Sequence, residues 1–505
     1  MVKFSLNKIE PGRSGTSRSK RKIKAANLSM YLSIGVIVLL CTAIIKVFLS
    51  IDFQSVLLTA GATLETDSQN HTNFLLIGTG NEEHDGADLT DTLILASLDQ
   101  KDKTVSMTSI PRDLHLKNDE YKSLRINEVY FYAKQETGSV EEGLQYLIQQ
   151  VSELSGQEVQ YYIKIDFKGF IEIIDVLGGI EVTLDDSLID PFYPKGETGY
   201  LETFSLSKGK HILDGETALK FARSRKTTSD FDRAKRQQQI LEAIKEKALK
   251  KQLILDQDKI KELLDTINKN FQTNLTTREL LTLGAIAKDF NKNSIHNSVI
   301  SDDPVQCGGL LYTPDANLYK GAQVFIPAGG YEKITAFFDV MVKFPEALKE
   351  SPSIHILNGT KKYGAAAETK QVLQRLCLNI YYQFNNARST NIKDTTIYYT
   401  PVPIPKESPE EETKHRIPYT IELLQYLIPT AKTSTEIPQE YIDKGYTKSS
   451  TILLELGEDY TSSSQFREDY FYAMYAEIYD ESPEDESGES TPSTEGSTNT
   501  TDTVQ

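Results

Sequence analysis

Residues 73–113 read NFLLIGTGNEEHDGADLTDTLILASLDQKDKTVSMTSIPRD. Three apolar runs of strand length, Asn73–Thr79, Thr92–Leu98 and Thr104–Ile110, are separated by polar segments, which predicts three buried strands. Asp99–Lys103 is the polar turn between the last two. The longer link, 80–91, carries His84 and Asp85 and ends on Asp91, just before the second strand. Pro111 has no amide donor and ends the third strand, so Arg112 emerges at a strand end. Further along, Val140, Leu144, Leu147, Ile148, Val151 and Leu154 recur at helical spacing, with Gly156 as the C-terminal stop. Tyr161–Asp166 returns to a strand, Phe170–Leu177 reads as a helix stopped by Gly178-Gly179, and Ile180–Leu184 is again a strand. Asp214–Ala222 is a short helix and Phe231–Lys250 a longer one. Strands that alternate with helices predict an α/β layer architecture.

A second, smaller α/β pattern follows. Ser353–Leu357 is a strand closed by the turn Asn358-Gly359, Ala365–Leu378 a helix, Thr395–Thr400 a strand, Thr420–Leu427 a helix and Thr451–Leu456 a last strand. Pro401–Arg416, rich in Pro and Glu, reads as a loop insertion. Gly308-Gly309-Leu310-Leu311, between the two patterns, reads as structural.

Toward the N-terminus, Leu28–Ile51 reads LSMYLSIGVIVLLCTAIIKVFLSI, long enough to cross a bilayer. Its one charge, Lys46, lies near the far end and can snorkel. The run exceeds a typical signal core and no A-x-A site follows it, which favours an uncleaved anchor. Residues 1–27 hold eight Lys or Arg against one Glu, a net of +7, which leaves −24 on the rest of a chain whose total is −17. Arg18, Lys20, Arg21, Lys22 and Lys24 directly precede the apolar run, so the positive-inside rule puts them in the cytoplasm and the bulk outside. An acidic body argues against nucleic acid as a partner. The expected organisation is a basic tail (1–27), a transmembrane helix (28–51), a linker (52–72), a first α/β domain (73–300), a connecting segment (301–352), a second domain (353–460) and an acidic Ser/Thr-rich tail (461–505) too poor in apolar residues to form a core.

Three cysteines, Cys41, Cys307 and Cys377, are too few for a disulfide framework. Cys41 and Cys377 sit among apolar neighbours and read first as small buried hydrophobes. A bridge between Cys307 and Cys377 stays open, and no Cys/His cluster has zinc-ligand spacing.

Four clusters could carry chemistry. Asp91, with Asp85 upstream, is either a turn former or a ligand for Mg²⁺, which takes one or two carboxylates plus phosphate oxygens. Ser109-Ile110-Pro111-Arg112-Asp113 sits at a strand end, where open α/β sheets bind ligands. Arg125-Ile126-Asn127 is the third. Arg223-Ser224-Arg225, then Asp230, Arg233, Arg236 and Gln237, is the fourth and densest: Arg223 and Arg225 share a side if the chain is extended, and Arg233 and Gln237 are one helical turn apart. Asp230 suits an N-cap. Arginines converging in an acidic protein imply an anionic ligand such as a phosphate, and the competing reading is a solvated basic helix face.

The ordered set LLIGT…TDT, SIPRD, RIN, DFKGFIEIIDVLGGIEV, LDGETALKFARSR and DFDRAKRQQ resembles the LytR–CpsA–Psr family over about Asn73 to Lys250. SIHILNGT to TILLELGEDY looks like the LytR-type C-terminal domain often appended in it. The resemblance implies an extracytoplasmic α/β domain with a mixed central sheet and flanking helices. It also implies transfer of a glycopolymer-phosphate from a polyprenyl diphosphate carrier to peptidoglycan, aided by Mg²⁺ or Mn²⁺. Asp91 would hold the metal, and Asp85 in the same link is the carboxylate that could replace the one missing at Gly80. Arg112, Arg223, Arg225 and Arg233 would contact diphosphate beside Asp230 and Gln237, with Arg125, Asn127 and Arg236 on the substrate. Arg125 stands where Lys is usual. Gly80 and Leu89 stand where the family has Asp and Arg. The alternatives are a polyprenyl-diphosphate hydrolase and a non-catalytic lipid-linked-glycan binding protein.

Overall fold

The computed structural model describes residues 63–80, 87–116, 125–194, 200–224, 295–383, 385–404, 414–449 and 451–463, together with some of those between 225 and 294. The apolar stretch 28–51, the acidic tail beyond 463 and most of the helix expected over 231–250 lie outside the described residues. No described helix is long and apolar enough to cross a membrane.

The three apolar runs of the opening stretch are strands β1 (His71–Thr79), β2 (Thr90–Asp99) and β3 (Thr104–Ile110). They form an antiparallel meander, with His71 opposite Asp99 and Leu93 opposite Ile110. Helices α1 (Val129–Thr137) and α2 (Val140–Ser155) follow. Ser139 caps α2 by accepting from Glu142 N, and Gly156 ends it at φ 69°. Strand β4 (Tyr161–Asp166) then lies parallel to β1 on its other side, placing Asp166 beside Thr79. Helix α3 (Phe167–Val176) starts three residues earlier than the apolar pattern suggested, because Asp166 accepts from Gly169 N at 2.7 Å and makes the strand end an N-cap.

Strands β5 (Ile180–Leu184), β6 (Leu188–Pro194), β7 (Leu201–Leu206) and β8 (Gly209–Leu213) pair as two antiparallel ribbons, β5 with β8 and β6 with β7. Asp214 caps α4 (Gly215–Arg223) through Thr217 N. Strands β9 (Phe271–Thr273) and β10 (Ile295–Val299) complete a mixed six-stranded sheet in the order β10-β3-β2-β1-β4-β9.

Residues 301–352, expected as a connector, take part in the core. Beyond the short pair β11 (Leu311–Tyr312) and β12 (Ile326–Pro327), helix α5 (Tyr331–Lys343) buries Ile334, Phe337, Phe338, Val340 and Met341. Its Thr335 hydroxyl donates to Leu154 O, and Ser106 Oγ donates to Met341 O at 2.6 Å. The short α6 (Pro345–Glu350) leads to a second five-stranded sheet, β14-β13-β19-β15-β18, made of β13 (Ile354–Asn358), β14 (Asn385–Asn386), β15 (Thr396–Tyr399), β18 (Lys432–Ser434) and β19 (Ile452–Leu456). Helices α7 (Ala365–Arg375) and α8 (Tyr419–Leu427) flank it. The loop expected over Pro401–Arg416 is pinned at its base by β16 (Val402–Pro403) pairing with β17 (His415–Arg416). One continuous apolar core runs from Leu75 and Leu93 through Phe337 and Phe338 to Ile354 and Leu454.

One cysteine expectation changes, and an open one is decided. Cys307 and Cys377 form a disulfide, so Cys377 is not a buried thiol. Helix α7 stops at Arg375, short of the expected Leu378, and Cys377 adopts φ 70°, which turns the chain toward its partner. The Gly308-Gly309 pair also finds its reason here. A Cβ on Gly308 would stand 1.9 Å from Val299 O, and one on Gly309 would stand 1.9 Å from Asp303 O. Only glycine lets this turn lie against the end of β10 while Gly308 N donates to Arg375 O. The bridge closes a loop of 70 residues between the two sheets. Loop-closure entropy then predicts that Cys307→Ser with Cys377→Ser lowers unfolding free energy by about 4 kcal/mol, read from denaturant midpoints.

Candidate functional site

The polar residues flagged in the sequence collect at one end of the six-stranded sheet because of how the strands are registered. Thr79, at the end of β1, pairs with Thr90 at the start of β2 and with Asp166 at the end of β4. Ile110, at the end of β3, faces Leu93. Asp91, Arg112 and the entrance to α3 therefore share one edge, outside the carboxyl ends of β1, β3 and β4.

Arg112 is held in a tight turn. Leu114 N donates to Pro111 O, Asn127 N to Arg112 O, and Phe325 N to Asp113 O. Its Nη1 donates to Asp91 Oδ1 at 2.7 Å and its Nε to Asp113 Oδ2 at 3.4 Å. Arg125 continues the chain of charges, reaching Asp113 Oδ1 at 3.3 Å and Glu128 Oε1 at 3.1 Å. Glu128 also accepts from Arg125 N, a capping-box arrangement over Arg125-Ile126-Asn127-Glu128. The result is an alternating row, Asp91–Arg112–Asp113–Arg125–Glu128. Burial alone would lower the Arg112 pKa, but Asp91 and Asp113 outweigh it and raise it. Hydrogen bonding to Glu128 is the main reason that the Arg125 pKa also rises. Both guanidiniums stay charged at any working pH.

Asn127 was expected on the substrate, but the structure buries it at 2% exposure. Its backbone oxygen accepts from Thr90 Oγ1. Its side-chain Oδ1 and the buried Thr79 Oγ1 have no hydrogen-bond partner. These two orphaned oxygens and the partly exposed Asp91 carboxylate are hard-oxygen donors of the chemistry that suits Mg²⁺. Among the described residues no three His, Cys, Asp or Glu converge as a complete metal cage. A cation at Asp91 would need ligand or water oxygens to complete its shell. Asp85 lies outside the described residues.

The second arginine group is reached from β4. Arg223 ends α4, and its guanidinium lies over the ring of Phe167, 4.4 Å from the centroid. Phe167 follows Asp166 on β4, which lies two strands from the Asp91 strand, a backbone separation of roughly 10 Å at ordinary strand spacing. Lys220, one turn earlier, is paired with Glu202 at 2.6 Å, and that hydrogen bond is the main cause of its raised pKa. Arg225, Asp230, Arg233 and Gln237 lie outside the described residues.

Arg236 corrects the sequence reading. It is 6% exposed, and its guanidinium donates to Phe221 O at 2.9 Å and to Ser224 O. Its charge neutralises the carbonyl end of α4, which makes it a tie between helices and not a group facing a ligand. Ser224 is buried as well, its hydroxyl on Asp190 Oδ2 at 2.8 Å.

Several participants were not singled out. Glu128 was legible as the fourth residue of a capping box. Phe167 had no signal beyond its place in DFKGF. Lys134, which holds Asp88 at 2.7 Å and so anchors the end of the 80–91 link, is 46 residues away in sequence.

The profile of the LytR_cpsA_psr family matches residues 50–323, more than half of the chain. A Bacillus subtilis protein named polyisoprenyl-teichoic acid–peptidoglycan teichoic acid transferase TagV is 35% identical over 241 residues, 46% of this chain and 57% of that protein. The B. subtilis transferase TagT is 27% identical over 249 residues, 48% of this chain and 70% of that one. The cell wall biosynthesis protein LcpA of Corynebacterium glutamicum is 26% identical over 237 residues, and the match covers 42% of this chain and 43% of that protein. The crystal structure of B. subtilis TagV superposes with a TM-score of 0.39 at 25% identity, over 54% of this chain and 97% of that one.

The geometry separates two arginines by role. Arg236→Ala strands the carbonyls of Phe221 and Ser224 in a buried setting and should cost about 3–5 kcal/mol, seen as a lower melting temperature. Arg223→Ala, which uncovers one ring face, should cost under about 1 kcal/mol. Equal losses in thermal unfolding would contradict this division.

Proposed function

This chain belongs to the LytR–CpsA–Psr family, and we propose that it transfers a glycopolymer-phosphate from a polyprenyl diphosphate carrier to a hydroxyl of peptidoglycan. The observation that carries the reading is the single sheet edge bearing Asp91, Arg112 and Arg125 at one side and Arg223 at the other. A diphosphate lying along that edge meets guanidiniums whose orientation is fixed before it arrives, and such preorganised charge stabilises developing negative charge with little reorganisation. The names of TagT and TagV, transferases of teichoic acid to peptidoglycan, support the same class of reaction.

In this reaction the acceptor oxygen attacks the phosphorus that carries the glycan. A new P–O bond forms, the bond to the bridging oxygen breaks, the hydroxyl proton is released, and polyprenyl phosphate leaves. Phosphoryl transfer of this type depends mostly on positioning and charge. Arg112 and Arg223 bind and orient phosphate oxygens. Asp113 holds Arg112 and Arg125 in place, both of its oxygens being engaged by guanidiniums. Asp91 would hold Mg²⁺ or Mn²⁺, with the partnerless Thr79 Oγ1 and Asn127 Oδ1 as further candidate oxygens, and the ion when bound would polarise a phosphoryl oxygen.

Placement on the outer side of the cell membrane is part of the proposal. The apolar run Leu28–Ile51 with its basic flank supports it, and so does the Cys307–Cys377 bridge, since disulfides persist in oxidising compartments. The unit from β13 to β19 is proposed as the LytR-type C-terminal domain.

The test is an assay of the full chain with a lipid-diphosphate glycan, Mg²⁺ and peptidoglycan. Arg223→Ala with Arg225→Ala should lower attachment of glycan-phosphate by about 10²-fold or more while the melting temperature holds. Wild-type transfer in that double variant sinks the site assignment. Release of glycan-phosphate without peptidoglycan would point to hydrolysis. Tight binding with no turnover would point to a binding protein in which Gly80 and Leu89 mark a lost catalytic loop.

A further inference from the structure

The β6–β7 hairpin has two unlike faces. Its inner face, Leu188, Asp190, Tyr193 and Phe204, is buried against α4 and its neighbours. Asp190 takes the Ser224 hydroxyl, Glu202 takes Lys220, and the Lys220 ammonium lies over the Tyr193 ring, so the hairpin is fastened directly to the helix that ends in Arg223.

The outer face is exposed and apolar. Ile189 is 51% exposed, Phe192 50%, Leu201 57% and Tyr200 73%, with Pro191 and Pro194 exposed between them. Thr203 and Ser205 are the remaining exposed positions described on the ribbon. In a chain that is 25% charged, none of these outward positions carries a charge. Glu202 and Asp190, the described acids of the ribbon, are both engaged on its inner side. Exposed large apolar groups gathered on one ribbon, with no charge among its described outward positions, mark a surface that meets something apolar.

Resting on the function proposed above, we propose that this outer face docks on the lipid bilayer, with Phe192, Ile189 and Leu201 entering its interfacial layer. Chain length supports this occupant. The apolar run ends at residue 51 and the described body begins at 63, so the intervening segment reaches at most about 40 Å. Strand β1 runs roughly 30 Å from that entry to the sheet edge carrying the arginines. A body on so short a tether can lie with that edge against the membrane. The hairpin, fixed to the α4 terminus, then sets Arg223 at headgroup depth, where the diphosphate of a membrane-embedded polyprenyl donor is found. Interfacial burial of aromatic and aliphatic side chains supplies the attraction without a basic patch.

The chain contains no Trp, so Phe192→Trp introduces its only indole. The full chain is reconstituted into vesicles of phosphatidylglycerol and phosphatidylcholine, with and without lipids nitroxide-labelled near the headgroup. The expected result is blue-shifted emission quenched by the labelled lipid. Tyr363→Trp, at a side chain 99% exposed on the second α/β unit, should emit at longer wavelength and resist quenching. Red, unquenched emission from Phe192→Trp overturns the proposal. Blue but unquenched emission also overturns it and assigns the face to a second copy of the chain. In a second arm, Ile189→Ser with Leu201→Ser should lower transfer from a long-chain polyprenyl donor in vesicles about tenfold. Transfer from a short-chain, water-soluble diphosphate donor should stay unchanged, and an equal loss on both donors would count against docking. If the wild-type chain transfers from neither donor, the proposed reaction fails, while the quenching result still decides the docking.

Discussion

Thr79 is paired with Thr90 on one side and with Asp166 on the other, and this double registration brings three sequence-distant polar groups to one sheet edge. Without it Asp91 would have no relation to the entrance of α3. A slip of one residue would turn Leu75 and Ile77, now in the main core, toward the opposite face of the sheet. β1 is buried on both faces, so its register serves two cores as well as the site. Gly78 shows how close the fit is: a Cβ there would come within 3.0 Å of Thr92 on the neighbouring strand.

Charge balance is the second layer. Arg112 and Arg125 are each tied to two carboxylates, and Asp113 is shared between them. In water such pairs contribute little, but half-buried and linked in a row they fix the directions in which the guanidiniums point. The row holds three carboxylates, Asp91, Asp113 and Glu128, against two arginines, so it carries one excess negative charge.

The strands of the first sheet were legible as short continuous apolar runs, because β1 and β3 are buried on both faces, and the amphipathic α2 was legible from its 3.6-residue repeat. The edge position of Arg112 was legible from Pro111, whose missing amide has to end a strand. Less local features were not. Cys307 and Cys377 lie 70 residues apart, and nothing in the apolar neighbourhood of Cys377 distinguishes a thiol from half of a bridge. Arg236 read as one more ligand arginine because its carbonyl partners, on Phe221 and Ser224, are backbone atoms with no signature in residue type. Asn127 reads as a loop position, and its burial beneath Thr90 is likewise set by a backbone contact that residue type does not show. The part of α5 in joining the two sheets escaped as well, since an amphipathic pattern shows that a face is buried without showing what covers it.

The helix α5 and the bridge act together on the geometry of the edge. Ser106, on β3, donates to Met341 at the end of α5, and Thr335 on the same helix holds the last carbonyls of α2. On the other flank, Ser301 N donates to Gly308 O and Leu311 N donates to Ser301 O, around the turn that the disulfide pins to the end of α7. Residues just past β10 are therefore fixed from the second sheet, and β10 lies beside β3, the strand that delivers Arg112. Phe325, hydrogen-bonded to Asp113 and His115, closes the same turn from the other side. The segment 301–352 and the disulfide thus link the arginine turn to the second α/β unit through backbone and side-chain contacts together.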